Sequence, residues 1–475
     1  YQRTKPMHAG HASPMSAVLR SAPGANDPIP SALPAGEGAI AFDADGEVSR
    51  DTFAAQVRAR AARLPEAGHA VNLCEDRYRF LVAFCAVALR GQVTLLPPSR
   101  TRAAIDDVRA LHPGSYCLGD GDPCGCDVRA LLPEGDAHFV HLPADLAQAD
   151  GPPLAFDEAA VVAIGFTSGS TGAPAANAKT LRGFLASTAQ NLAALAHLWP
   201  AGAPGRVVAT VPPQHMYGIE LSVMLPLLGD VAVHRGRPFF PEDIARALRD
   251  APAPALLVTT PVHLRTLLAS GVALPPLAGI VTATAPLPQV LAAEAEAHLG
   301  CELREVFGAT ETCILASRRT ARETAWTPFD GVRLQPQPDG ALVHARHLAQ
   351  PVQLADLVEV EADGRFVLRG RRADLLEIAG KRASLADLTR RLLEIPGVDD
   401  GVVFQLDGET GGVRRVAAAY ASASLDEAAV LQALRRSVDP VFLPRPLRRV
   451  AALPRNETGK LPRAALLRLL QGGVP

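Results

Sequence analysis

From about residue 38, short apolar runs alternate with stretches of helical length, and this alternation constrains the fold more than any other feature. Residues 71–74 read as a strand, 80–89 as a helix and 93–96 as the next strand. Strand–helix–strand order at this spacing builds βαβ units and a mostly parallel sheet. Strands continue at 161–166, 207–211, 256–259 and 279–282, with helices at 181–197, 241–250 and 288–299 between them. Residues 331–369 change to short β-like pieces separated by Gly, Pro and Asp. A smaller unit follows, with helix 385–394, strands 402–405 and 416–420, and helix 425–437. The expected class is therefore α/β, α+β overall. A large N-terminal unit of βαβ subdomains and a small β-rich subdomain spans 37–369, and a small α+β unit spans 370–475. Residues 1–36 are rich in Pro, Gly, Ala and Ser without periodicity and read as a flexible tail. No internal repeat is seen.

Composition excludes several classes of function. Lys+Arg is 47 against 49 Asp+Glu, a net charge of −2, without the basic excess of a nucleic-acid binder. No run approaches the ~20 apolar residues that span a bilayer. The first residues lack the apolar stretch of a signal peptide and begin on Tyr1, which fits a processed or cloned fragment. Seven cysteines in 475 residues are no disulfide framework, and the odd count suits a reducing cytoplasm. Cys124 and Cys126 have no second pair at metal spacing and read as ordinary thiols.

Only four lysines occur, Lys5, Lys179, Lys381 and Lys460, against 43 arginines. Lysine supplies a compact charge with rotatable donors that a planar guanidinium does not. A chain that uses Arg almost everywhere draws attention to its remaining lysines, although codon bias explains any one of them.

Five segments carry candidate chemistry. Phe166-Thr-Ser-Gly-Ser-Thr-Gly-Ala-Pro directly follows an apolar strand. Its glycines and hydroxyls cannot pack a core, but they bend tightly and offer donors to phosphate. It is not a Walker A loop, because no glycine stands at the required place before Lys179-Thr180. In Val306-Phe-Gly-Ala-Thr-Glu-Thr, Thr310 and Glu311 read as hard oxygen ligands for Mg²⁺ or, more commonly, as a helix N-terminus. Pro212-Pro-Gln-His-Met-Tyr-Gly sets His215 beside Met216 and Tyr217, as the lining of an organic pocket or as a structural histidine. Gly370-Arg-Arg-Ala-Asp reads as a hinge or as a charged turn. Pro454 to Arg463 holds Lys460 after Gly459 on a proline-flanked loop.

In this order the five segments resemble the adenylate-forming superfamily, which comprises acyl- and aryl-CoA ligases, peptide-synthetase adenylation domains and luciferases. The resemblance spans about 167 to 463. The QHMYG string and Lys381-Arg382-x-Ser384-Leu385 are further similar to the short stand-alone ligases that load acyl carrier proteins. The resemblance implies a two-step reaction. A carboxylic acid, aryl or short acyl, attacks ATP to give acyl-adenylate and pyrophosphate. A thiol, from CoA or from the phosphopantetheine of an acyl carrier protein, then displaces AMP. Mg²⁺ is the implied metal, with Thr171 and Glu311 as its ligands.

The same resemblance assigns residues. Thr167, Ser168, Gly169, Ser170, Thr171 and Gly172 would hold the phosphates, and Thr310 and Glu311 would meet the α-phosphate. Asp356 and Arg371 would meet the ribose. Thr282, Ala283, Thr284, Ala285, Phe307 and Gly308 would flank the adenine or the acid. His215 would gate an acyl pocket whose further lining is Met216, Tyr217, Gly218, Ala309 and Cys313. Lys460 would bridge carboxylate and α-phosphate, delivered by rotation of the small domain about position 373.

The chain also departs from the family's pattern. Ala175 follows Pro174 where a lysine is usual, and Lys179 is the candidate stand-in. Ala373 occupies the pivot, with Asp374 next, and Glu377 stands where lysine is common. The interval from Glu311 to Asp356 is short, which implies a trimmed third subdomain. Free CoA competes with a carrier protein as acceptor. A degenerate ATP-binding member without turnover is the alternative of another class. Monomer and homodimer are both open.

Overall fold

The computed structural model describes residues 36, 38–120, 139–168, 174–371, 374–378, 381–406, 416–456 and 459–470. The expectations on the tail before residue 36, on Gly169, Ser170, Thr171 and Gly172, and on the pivot Ala373 lie outside the described residues.

The chain begins with the hairpin β1 (Ala39–Asp43) and β2 (Gly46–Ser49). Next come β3 (His69–Asn72), β4 (Val93–Leu96), β5 (Tyr116–Gly119), β6 (Phe139–His141), β7 (Val161–Ser168) and β8 (Pro174–Thr180). They form a six-stranded sheet in the order β6-β5-β3-β4-β7-β8, parallel except for β8. A second run follows: β9 (Gly205–Ala209), β10 (Val231–His234), β11 (Ala255–Thr259), β12 (Leu277–Thr282), β13 (Leu303–Ala309), β14 (Cys313–Arg318) and β15 (Thr327–Pro328). With β1 and β2 these make a nine-stranded sheet, parallel from β1 through β10, β9, β11 and β12 to β13.

Helix Arg77–Leu89 joins the two sheets. Eleven of its thirteen residues are buried, and Asp76 caps it by accepting from the Arg79 N–H at 2.8 Å. A helix apolar all round has to be enclosed. This one lies against β3 and β4 of one sheet and β10 of the other.

The β-like stretch resolves into two antiparallel groups. These are β16 (Arg333–Gln337), β17 (Gly340–His344) and β18 (Val352–Leu354), then β19 (Asp356–Val360) with β20 (Phe366–Arg371). The C-terminal segment holds β21 (Leu375–Ile378), β22 (Lys381–Ser384), β23 (Asp400–Gln405), β24 (Val416–Ala421) and β25 (Leu447–Val450). It has a core of its own, built from residues such as Leu376, Leu388, Leu392, Tyr420 and Val430.

The expected elements appear with ends shifted by a few residues. Strands β1, β2, β5, β6, β8, β10, β14, β15, β21, β22 and β25 add to those read from the sequence. Each is seven residues or fewer, too short to show a period of its own beside the helices. The expected helix N-terminus at Thr310 is absent. Thr310 and Glu311 instead form the turn of the antiparallel β13–β14 hairpin, because the buried run Cys313–Ser317 pairs back onto β13. Among the described residues, no helix is long and apolar enough to cross a membrane.

Candidate active site

Four candidate segments leave the carboxyl ends of parallel strands, where open α/β sheets bind ligands. The glycine–hydroxyl loop follows β7, Pro212–Gly218 follows β9, Thr282–Leu287 follows β12, and the Thr310–Glu311 turn follows β13. Gly165 on β7 marks where three of them meet. A Cβ there would lie 2.9 Å from Thr310 Cγ2 and 3.1 Å from Met216 Cε. A side chain at this position would have to push the Thr310 and Met216 side chains aside, so glycine suits the close approach of the turn and the Met216 helix to the strand. Sequence reading missed it, although a glycine inside an apolar strand signals such an approach.

The β7–β8 hairpin sets Thr167 opposite Ala175 and Ser168 opposite Pro174. Residues 175, 177 and 179 share one face of β8, so Lys179 is set back by four residues, about 13 Å along the strand. Its Nζ donates to the Glu311 carbonyl at 2.8 Å, and the side chain is buried. The charge expected to replace a lysine at Ala175 is therefore spent beneath the Thr310–Glu311 turn, not at the end of the loop.

That turn rests on buried polar groups that sequence reading did not single out. Glu220, in a wide π-type turn over Glu220–Met224, accepts from Ser187 Oγ at 2.7 Å, Asn191 Nδ2 at 3.3 Å and the Ile314 N–H at 3.1 Å. Burial pushes its carboxyl above the usual range, against these donors and the Lys179 charge. His347 is hydrogen-bonded through Nε2 to the Thr312 carbonyl at 2.7 Å and through Nδ1 to Gln190 at 2.9 Å. Thr312 Oγ1 accepts from the Ala309 N–H at 3.2 Å, closing the turn. Cys313 is buried at positive φ, its thiol pushed up to about 12 by burial and by Glu220. Nothing in the sequence spacing links residues 179, 187, 191, 220 and 347, so their meeting belongs to the tertiary fold.

The remaining predicted residues divide between the cleft and its walls. Tyr217 is a wall: its hydroxyl lies 3.0 Å from the Thr259 carbonyl and 2.9 Å from that of Val281. Gly218 and Gly308 are close-approach points, where a side chain would run into the Pro212 and Cys313 carbonyls respectively. Phe307 packs against Trp326 and Phe366, ring centroids 5.6 and 5.7 Å away. Ala283 is buried after β12, and Ala309 ends β13, where its backbone closes the turn with Thr312. Thr282 and Thr284 are different, because each has a buried hydroxyl with no partner within the protein, and Thr284 sits at a φ of 79°. Unpaired buried hydroxyls are costly, and a polar ligand would satisfy them. Asp356 and Arg371 face each other across β19–β20, Nε to Oδ1 at 3.2 Å and Nη2 to Oδ2 at 3.4 Å.

The C-terminal segment brings Lys460 to this cleft. A Cβ built at Gly459 would lie 3.5 Å from Thr284 Oγ1 and 4.0 Å from Ala285 Cβ. Desolvation in the cleft lowers the Lys460 ammonium's pKa, the Arg371 charge lowers it further, and Glu311 opposes both. His215 is held neutral, its pKa lowered to about 3 by burial first and then by Lys460. Lys460, Arg371, Glu311 and His215 thus share one electrostatic neighbourhood, though they come from four separate stretches of the chain. Of the two expected metal ligands, Glu311 and its neighbour Thr310 present hard oxygen donors, a set that fits Mg²⁺ arriving with a triphosphate. Thr171 lies outside the described residues. Among the described residues, no three His, Cys, Asp or Glu side chains group as a metal site.

The neutral His215 has a consequence for acid stability. Between the unfolded value near 6.5 and the folded value near 3, the unfolded chain binds a proton that the folded protein refuses. Stability therefore falls as pH drops through this window, by at most about 1.4 kcal/mol per pH unit. Denaturant titrations at pH 6 and pH 4 should show a smaller loss in His215→Gln than in the unsubstituted protein. An identical loss in both rejects the neutral, half-buried histidine.

Residues 121–339 match the family described as AMP-binding enzyme. A 4-coumarate–CoA ligase of Rhodobacter capsulatus is 31% identical over 258 residues, 54% of this chain and 64% of that enzyme. A 4-coumarate–CoA ligase of Halorhodospira halophila is 30% identical over 62% of this chain and 73% of its own length. Among solved structures, the amide bond synthetase McbA of Marinactinospora thermotolerans superposes with a TM-score of 0.76 at 19% identity, covering 92% of this chain and 97% of that one.

Proposed function

Because the chain belongs to the AMP-binding, adenylate-forming enzymes, we propose that it activates a carboxylic acid with ATP and passes the acyl group to a thiol. In the first half-reaction a carboxylate oxygen attacks the α-phosphorus, the bond to the β-phosphate oxygen breaks, and pyrophosphate leaves. In the second, a thiolate attacks the acyl carbon, the carbon–oxygen bond to AMP breaks, and AMP leaves. The observation that carries the reading is the convergence of Lys460 with Glu311, Arg371 and the unpartnered Thr282 and Thr284 hydroxyls at one cleft.

Negative charge accumulates as carboxylate and triphosphate approach. A fixed point charge in a partly dry site stabilises the crowded transition state most. Lys460 is the group for that task, with its rotatable donors and lowered pKa. Thr284 and Thr282 would bond the base or the bound acid, and Asp356 would accept from the ribose hydroxyls. Bound Mg²⁺ would add charge neutralisation at the phosphates, with Glu311 and Thr310 as its protein ligands. His215, uncharged at neutral pH, bounds the acid site without attracting or repelling the carboxylate.

Two thiols are compatible. The QHMYG and Lys381-Arg382-x-Ser384-Leu385 strings favour the phosphopantetheine of a carrier protein, and the CoA-ligase relatives favour free CoA. Thioester formation measured with holo carrier protein and with CoA, at matched concentration, separates them. Carrier-only loading supports the first, and CoA-only product the second.

A further inference from the structure

The Lys460 loop is held by a chain of contacts that runs into the large unit. Asn456 closes the loop on itself. Its Oδ1 accepts from the Lys460 N–H at 2.8 Å, and its own N–H donates to the Lys460 carbonyl at 2.8 Å. Arg455 ties the loop to β23: Nη1 donates to the Gly459 carbonyl at 2.7 Å, while Nε and Nη2 reach the two oxygens of Asp400 at 2.8 and 2.7 Å. The same Oδ1 that Arg455 Nη2 reaches lies 3.9 Å from Nη1 of Arg265. Arg265 lies on helix Pro261–Ser270 of the large unit, one turn after Val262, whose Cγ2 would be 3.9 Å from a Cβ at Gly459. One face of one helix therefore meets both the loop and the carboxylate that anchors it.

We propose that Arg265 and Asp400 form a latch between the two units that positions Lys460 for acyl-adenylate formation and opens for thiol transfer. The inference rests on the reading of Lys460 given above. Asp400 is the keystone, since it neutralises two guanidiniums that otherwise repel each other. The three side chains are largely buried, at 26%, 16% and 13% exposure for Arg265, Asp400 and Arg455, so the attraction is less screened than at an open surface. An arrangement that carries Lys460 away from Thr284 must also separate Arg265 from Asp400. The contact therefore favours one half-reaction only. Arg265 and Asp400 are positioning residues, because neither reaches the cleft itself.

The test separates the two half-reactions in the full chain. Arg265→Ala should lower the maximal rate of acid-dependent ATP–pyrophosphate exchange about fivefold, the upper end of what a single solvent-accessible ion pair supplies. KM for ATP should be unchanged. Consumption of preformed acyl-adenylate by thiol should be no slower than in the unsubstituted protein. Asp400→Asn, which leaves the two arginines facing each other, should lower exchange further, and Arg265→Lys should restore most of it. Equal slowing of both half-reactions, or no slowing of exchange while Lys460→Ala abolishes it, overturns the latch and leaves the reading of Lys460 intact. Exchange that persists in Lys460→Ala overturns that reading, and the latch with it.

Discussion

Lys460→Ala is expected to abolish acid-dependent ATP–pyrophosphate exchange, with a fall in rate of at least about a hundredfold. The fold should be retained. Lys460 sits on a loop whose shape is set by Asn456 and Arg455, and the residue is exposed. What the substitution removes is the compact charge beside Glu311 and Arg371. Arginine should not replace it, because a planar fork cannot rotate its donors between a carboxylate and an α-phosphate. Lys460→Arg should stay well below the unsubstituted rate. Exchange at the unsubstituted rate in Lys460→Ala contradicts the assignment.

Lys179→Met is expected to destabilise the protein and weaken its use of MgATP together. Nζ supports the Glu311 carbonyl and offsets the Glu220 charge. Removing one member of a buried charged set costs about 3–5 kcal/mol. Glu220→Leu should be comparably damaging, because Ser187, Asn191 and the Ile314 N–H lose their acceptor at once. Denaturant unfolding reads the first effect, and the KM for MgATP reads the second. A Lys179→Met protein of undiminished stability with a raised KM would instead mark Lys179 as a direct phosphate ligand, the role expected of a stand-in at Ala175.

The parallel architecture was legible because the strand–helix alternation is local, as in the helix Arg77–Leu89 and the strand that precedes it. Several site segments were legible for a related reason. Glycines and hydroxyls after an apolar strand have few structural uses, and a lysine in a chain nearly devoid of them stands out. The hairpin at Thr310 was not legible, because a capping-like Thr-Glu pair looks the same in a helix start and a β-turn. The support beneath it was hidden for another reason. Lys179, Glu220 and His347 meet only when β8, the π-type turn and the stretch after β17 close around one hairpin, and no spacing in the chain encodes that. The latch from Arg265 to Asp400 spans the two units and is likewise a product of their packing.

The central claim is that this cleft makes acyl-adenylate. Acid-dependent ATP–pyrophosphate exchange, run on the full chain over a panel of aryl and short aliphatic carboxylic acids, tests it most directly. The account predicts that at least one acid drives label from pyrophosphate into ATP, and that the signal vanishes in Lys460→Ala. A folded protein that binds ATP but shows no exchange with any acid would contradict it and leave a nucleotide-binding member of the family without turnover.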